Sequence, residues 1–156
     1  MEKKKEAVEE QVTKFVTLED ILGKDQAELT ALAQGEYETS KLGTVPFTAL
    51  SHEEYKQAKK DCMKMVPNGT GGMVPDLDDD ALMIKVIVAA VDKDERSSFT
   101  FANKALREKL GLLTADAVAA KLLAPGEIFK MAIEIQNISG FGGKAAKEVK
   151  DAVKNS

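Results

Sequence analysis

The sequence predicts a mostly α fold, a compact multi-helix domain with a small N-terminal β-hairpin at about residues 37–50 and flexible ends. Three observations predict it. Apolar residues recur at helical spacing through most of the chain, and capping residues with Gly or Pro stops divide that pattern into short helices. Residues 37–50, short runs rich in β-branched and aromatic residues, read as the one credible strand region, since the β-branched stretch Ile84–Val91 lies in a longer apolar run that suits a helix. The chain has 156 residues, enough to bury a core without staples. Aromatics make up 5% and Trp is absent, so that core must rest on Leu, Ile, Val, Met and Ala. The expected organisation is an N-terminal helical segment over 1–35, a helical domain over 36–143 and a Lys/Ala-rich tail over 144–156.

Taken in order, residues 2–16 read as an amphipathic helix with Val8, Val12, Phe15 and Val16 on one face. Thr17 is placed to cap a turn carrying Ile21 and Leu22, which Gly23 breaks. Asp25 and Glu28 have capping-box spacing for a further short helix ending near Gly35. Tyr37–Leu42 and Val45–Leu50, parted at Gly43-Thr44, predict the hairpin, and Pro46 makes its second strand an edge. Ser51-His52-Glu53-Glu54 is a capping box, and the helix it opens carries Tyr55, Ala58, Cys62 and Met65 on one face until Pro67. Asn68–Gly72 reads as a Gly-rich loop without regular structure. Leu77–Val91 is apolar nearly all round, with Lys85 its only charge after Asp80, and predicts a buried central helix. A charged loop, Asp92–Ser98, follows. Gly111 closes a helix over Asn103–Leu110, Thr114 caps Ala115–Leu123, and Pro125 opens a helix that stops at Ser139-Gly140-Phe141. Gly142-Gly143 reads as a hinge, and Lys144–Ser156 is expected to fray.

The residues offer no catalytic set, so a non-enzymatic protein without cofactor or metal is expected. His52 and Cys62 are the only residues of their kinds. Ten positions apart on one helix, they stand about 15 Å apart and cannot act as nucleophile and base. Asp76, Asp78 and Asp80 imitate a calcium loop, but Ala81 stands where its Gly belongs and Ile87 where its bidentate Glu belongs. Gly142-Gly143-Lys144 imitates a phosphate loop that lacks its first Gly, at Ile138, and its Ser/Thr, at Ala145. A net charge of −4 argues against nucleic acid or anionic membrane as partner. No signal peptide or apolar run of membrane length is visible.

The last long helix has more apolar surface than one core requires. Ile128, Met131, Ala132, Ile135 and Ile138 form one stripe, and Phe129 and Ile133 a second about 100° away. A helix packed between two neighbours explains both stripes; so does a stripe that meets a partner. The residues from about Tyr37 to Phe141 resemble the XkdN-like family of phage tail assembly chaperones. The resemblance rests on Leu50-Ser51 with Glu54-Tyr55, Cys62, Val66-Pro67 before the Gly-rich loop, Asp76-Leu77-Asp78 and the apolar Ile84–Val91. It continues in Leu122-Leu123-Ala124-Pro125-Gly126-Glu127, similar to that family's Leu-Leu-x-Pro-Gly-Glu, and in Ile138-Ser139-Gly140-Phe141. The chain departs from the family at Asp92-Lys93-Asp94, where an Asp-Pro turn is expected.

The resemblance implies a non-catalytic chaperone that coats the tape-measure protein during tail assembly, is displaced by tail-tube protein, and contacts its own copies. It implies action in the host bacterial cytoplasm and absence from the mature virion. The expected partner surface is Phe129 and Ile133, with Leu123, Pro125, Gly126 and Glu127 shaping the turn before them. Two other readings stay open. One is a helical adaptor for another phage or host protein. The other is weak, salt-sensitive nucleic-acid binding by the Lys-bearing C-terminal segment, which lacks Arg and aromatics.

Overall fold

The computed structural model describes residues 14–141, and the chain divides after Ala31 into two units. In the first unit, α1 (Leu18–Leu22) and α2 (Gln26–Thr30) bury no residue. Thr17 caps α1 as predicted, its Oγ1 accepting from Asp20 N at 3.1 Å. Asp25 makes no side-chain cap bond, so the box predicted there does not form, and α2 ends at Thr30, short of Gly35. Lys14–Val16, the described end of the predicted first helix, is not helical. The remainder of that helix, the Gly142-Gly143 hinge and the 144–156 tail lie outside the described residues.

The second unit runs β1 (Gln34–Thr39), β2 (Gly43–Thr48), α3 (His52–Asp61), β3 (Met63–Pro67), β4 (Met73–Leu77), α4 (Asp79–Asp92), α5 (Lys104–Leu110), α6 (Ala115–Leu122) and α7 (Pro125–Gln136). A wide turn, Asn137–Phe141, closes it, with Gly140 at φ 98° making the predicted left-handed stop. The fold is therefore mixed α/β, and the expectation of a mostly α domain with one N-terminal hairpin is corrected. Two antiparallel two-stranded hairpins occupy the middle of the chain, between residues 34 and 77. The first covers Gln34–Thr48, not 37–50. The second replaces both the end of the predicted Ser51–Pro67 helix and the supposed unstructured loop.

The reason lies in the loop's chemistry. Asn68 Oδ1 accepts from Thr70 N, Thr70 Oγ1 and Gly72 N at 2.9, 2.9 and 3.1 Å, while Asn68 N donates to Gly72 O at 3.0 Å. Gly69 and Gly71 take φ of 81° and 88°, which a side chain would oppose. These glycines make a built turn, and a built turn lets Met63–Pro67 pair with Met73–Leu77.

α4 organises the core. Asp78 caps it, accepting from Ala81 N at 3.1 Å. Leu82, Val86, Ile87, Ala90 and Val91 are buried, and no residue from Ala81 to Asp94 is exposed. Such a helix must be covered on every side, and α7, α6, β2 and α3 pack against it. Its β-branched residues each lose about 0.5 kcal/mol of helix propensity, well below the roughly 1.5–3 kcal/mol that each gains by burial. Lys85 escapes the apolar surroundings by reaching Asp116 on α6 at 2.8 Å.

Hairpin β1–β2 covers α4 through Val45 and Phe47. Ala49 N donates to Ala33 O at 2.7 Å. By strand alternation, the nitrogen of Pro46 then points away from β1, and its missing N–H removes no ladder bond. The loop after α4 turns its charges inward. Asp94, with a fully buried side chain, pairs with Arg96 at 2.9 Å and accepts from Thr48 Oγ1 at 2.8 Å. Arg96 Nη2 also donates to Gly35 O at 2.8 Å and Phe47 O at 3.1 Å. One carboxylate–guanidinium pair thus fastens the hairpin to the end of α4. A second brace comes from Lys93, which donates to Ala49 O at 2.9 Å and to Glu54 at 2.6 Å.

The Arg96 hydrogen bonds hold the Asp94 carboxyl down to about 2, against burial that would raise it. An unfolded Asp titrates near 3.8, so this stabilisation is complete above about pH 4 and is lost as pH falls through 2. Its size is on the order of 2 kcal/mol. Asp94→Asn should lower urea-unfolding stability by about that amount at pH 7, and the gap should close between about pH 4 and 2. A Cβ on Gly35 would stand 2.7 Å from Phe47 Cε2. Phe47 is fully buried and cannot turn aside. Gly35→Ala should therefore cost about 1–3 kcal/mol, read as a fall in Tm.

Candidate partner-binding surfaces

The turn at Leu123–Glu127 starts α7 and also anchors the first hairpin. Ala124 precedes the helix without a side-chain cap, and Pro125 occupies its first turn. Glu127 supplies the missing acceptor: Oε1 takes Ala124 N at 3.0 Å, and Oε2 takes Ser40 N, in the β1–β2 turn, at 2.8 Å. Those backbone bonds, Ala124 first and then Ser40, lower the Glu127 pKa. Leu123 is 3% exposed and belongs to the core. A Cβ added to Gly126 would meet nothing within 4 Å, and the backbone there is not left-handed. No described neighbour accounts for glycine at that position.

Along α7 the two stripes separate. Met131, Ala132 and Ile135 are buried, with Ile128 and Ile138 packed beside them. Phe129 is 56% and Ile133 40% exposed, one turn apart on the outer face. Of the six expected partner residues, the fold thus uses Leu123 and Glu127 internally, and Pro125, Gly126, Phe129 and Ile133 lie at the surface.

A second apolar surface was not foreseen from sequence. The β3–β4 register puts Met63, Met65, Pro67, Met73, Pro75 and Leu77 on one face of the hairpin. Met63, Met65 and Met73 are 44%, 57% and 55% exposed. The signal was present in the alternation Met63-Lys64-Met65 before an Asn-Gly turn, but a helical reading of Met65 concealed it.

The perturbed titratable groups have structural work. Burial raises Glu54, but its bonds to Lys93 and Ser51 outweigh that and leave it below its ordinary value. Burial pushes the Asp92 carboxyl up, although it accepts from Phe101 N at 2.7 Å and Ala102 N at 3.0 Å. Burial likewise raises the Cys62 thiol, which makes it a poor nucleophile at neutral pH. Among the described residues no group of three His, Cys, Asp or Glu is placed to hold a metal. None of the described helices is long and apolar enough to cross a membrane.

Fragments of the family resemblance that are far apart in sequence meet in space. Ser139 Oγ accepts from Leu50 N at 2.9 Å and donates to Ile135 O at 2.6 Å. Phe141 stacks on Tyr55 with ring centroids 4.5 Å apart. Residues 18–154 match the family described as phage XkdN-like tail assembly chaperone protein. The chain belongs to this family. The match begins before Tyr37 and runs past Gly143, so the family's sequence pattern extends further on both sides than the fragments that first suggested it. No curated protein is significantly similar to the chain. The crystal structure of the protein yqbn has a similar fold, with a TM-score of 0.55 at 18% identity over 83% of this chain and 100% of that one.

If Glu127 anchors the hairpin turn, Glu127→Gln should speed hydrogen exchange at the Ser40 and Ala124 amides while leaving the α4 amides protected. Unchanged exchange at Ser40 would mean that the anchor is dispensable.

Proposed function

We propose that this protein binds and coats the tape-measure protein while the phage tail is built, catalysing no reaction. The observation that carries the reading is the Phe129–Ile133 stripe, exposed on a helix whose opposite face is core, in a chain of the tail assembly chaperone family. An amphipathic helix of the client lays its apolar residues against this stripe. Gly126, with open space above it, lets the client backbone come close at the start of α7.

The energetics suit a temporary cover. Phe129 and Ile133 are already partly covered, so burying the remainder gains about 1 kcal/mol each. Association itself costs an estimated 4–15 kcal/mol, so a single contact holds weakly and many copies along one client are required. A weak unit contact also allows release, here by tail-tube protein displacing the chaperone copy by copy. The protein acts in the host bacterial cytoplasm and leaves before the virion is complete.

Co-expression with the tape-measure protein of the same gene cluster, then size-exclusion with light scattering, tests the reading. A soluble complex with many chaperone copies per client is expected. Phe129→Asp with Ile133→Asp should reduce co-purified client at least about ten-fold while Tm moves by only a few degrees, since both residues are at the surface. An insoluble client beside a chaperone that elutes alone would defeat it.

A further inference from the structure

Helix α3 divides its surface charge sharply. At 100° per residue, Tyr55, Lys59, His52, Lys56 and Lys60 share an arc of about 140°, and Glu53, Gln57, Asp61 and Glu54 share the adjoining one. On the acidic flank, Glu54 pairs with Lys93 at 2.6 Å, Asp61 accepts from Gln57 of the same helix at 2.8 Å, and Glu53 is exposed. None of the ion pairs among the described residues includes His52, Lys56, Lys59 or Lys60, all of which are exposed. Among the described residues the strip thus carries three lysines without an ion pair, on a protein of net charge −4.

The strip also has shape. Tyr55 stacks on Phe141, and Lys59 Nζ sits 5.8 Å above the Tyr55 ring. His52, Tyr55, Lys56 and Lys59 line a shallow, open concavity of about 160 Å³. Cationic and ionisable donors around an apolar hollow complement carboxylates on either side of one aliphatic side chain. We propose that the basic flank of α3 is a second docking site, which takes an acidic amphipathic helix of a partner protein. Its carboxylates would lie along Lys56, Lys59 and Lys60, and one apolar side chain would enter the hollow. The site lies on a different helix from the Phe129–Ile133 stripe and does not depend on what that stripe binds.

Nucleic acid fits the strip less well. The flank from His52 to Lys60 is only about 12 Å long and carries no Arg. The Tyr55 ring has one face against Phe141, and among the described residues no Phe, Trp or second Tyr lines the hollow to continue a run of stacked bases. The net negative charge of the chain repels a long polyanion while leaving a short acidic helix its local attraction.

The test uses fluorescence anisotropy with the full chain and three labelled probes. These are a synthetic amphipathic helix with Glu and Leu flanks, the same helix with Gln for Glu, and a short single-stranded RNA. The Glu/Leu helix should bind at least about ten-fold more tightly than its Gln counterpart and weaken by a similar factor in about 0.5 M NaCl. Lys56→Glu with Lys59→Glu should abolish that binding. Lys56→Ala with Lys60→Ala, a milder pair, should weaken it without disturbing the circular dichroism spectrum. Equal binding of the Glu and Gln helices, indifference to both variants, or tighter binding of the RNA would overturn the proposal. None of these results bears on the tape-measure co-purification.

Discussion

A helix that is apolar nearly all the way round has little face to give to water, and α4 imposes that condition on everything else in the second unit. Each neighbouring element supplies a cover: Phe47 and Val45 from the first hairpin, Met131 and Ile135 from α7, Val118 and Ala119 from α6, Ala58 from α3. Covers on a helix must be held in register with it, and polar contacts do this where the chain leaves α4. Asp94–Arg96 fixes the first hairpin, and Lys93 fixes the beginning of α3. A buried ion pair adds little stability over a well-packed apolar alternative, but it tolerates few geometries. Here the geometry is what matters, because a hairpin displaced by one residue would turn Val45 and Phe47 to solvent.

Many of the residues that make the family recognisable serve the fold itself. Ser51, Glu54, Ser139, Phe141, Leu123 and Glu127 are caps, latches or core. They hold α7 against the first hairpin and the start of α3, and so present the outer face of α7 as a rigid surface. Phe129 and Ile133 project from that face, exposed on a helix whose opposite side is core.

Much of the architecture could be read from the chain because its signals are local. Thr17, Ser51, Thr114, Gly111 and Gly140 each mark a helix end through a bond or a backbone angle confined to a few residues. The α4 run was equally plain, since no surface helix lacks a polar face. The second hairpin was hidden for a physical reason. Tyr55, Ala58, Cys62 and Met65 keep helical spacing across the point at Asp61 where the helix ends, and the strand pairing that replaces it joins residues from both sides of the Asn68–Gly72 turn. The inward turn of Asp94 and Arg96 was hidden likewise, because a charged loop looks solvated until its distant carbonyl partners are known. For the candidate surface, spacing alone separated the two stripes of α7, but it could not tell that Leu123 packs inward.

The Met-lined face of the second hairpin owes its character to sulfur. Thioethers pack adaptably against varied shapes, and exposed ones are readily oxidised. Conversion of Met63, Met65 and Met73 to sulfoxides would make an apolar face polar without breaking one hydrogen bond of the β3–β4 ladder or opening the core around α4. The fold would survive such damage while one of its exposed faces changed its chemistry, and enzymatic reduction of the sulfoxides would restore that face without refolding the chain.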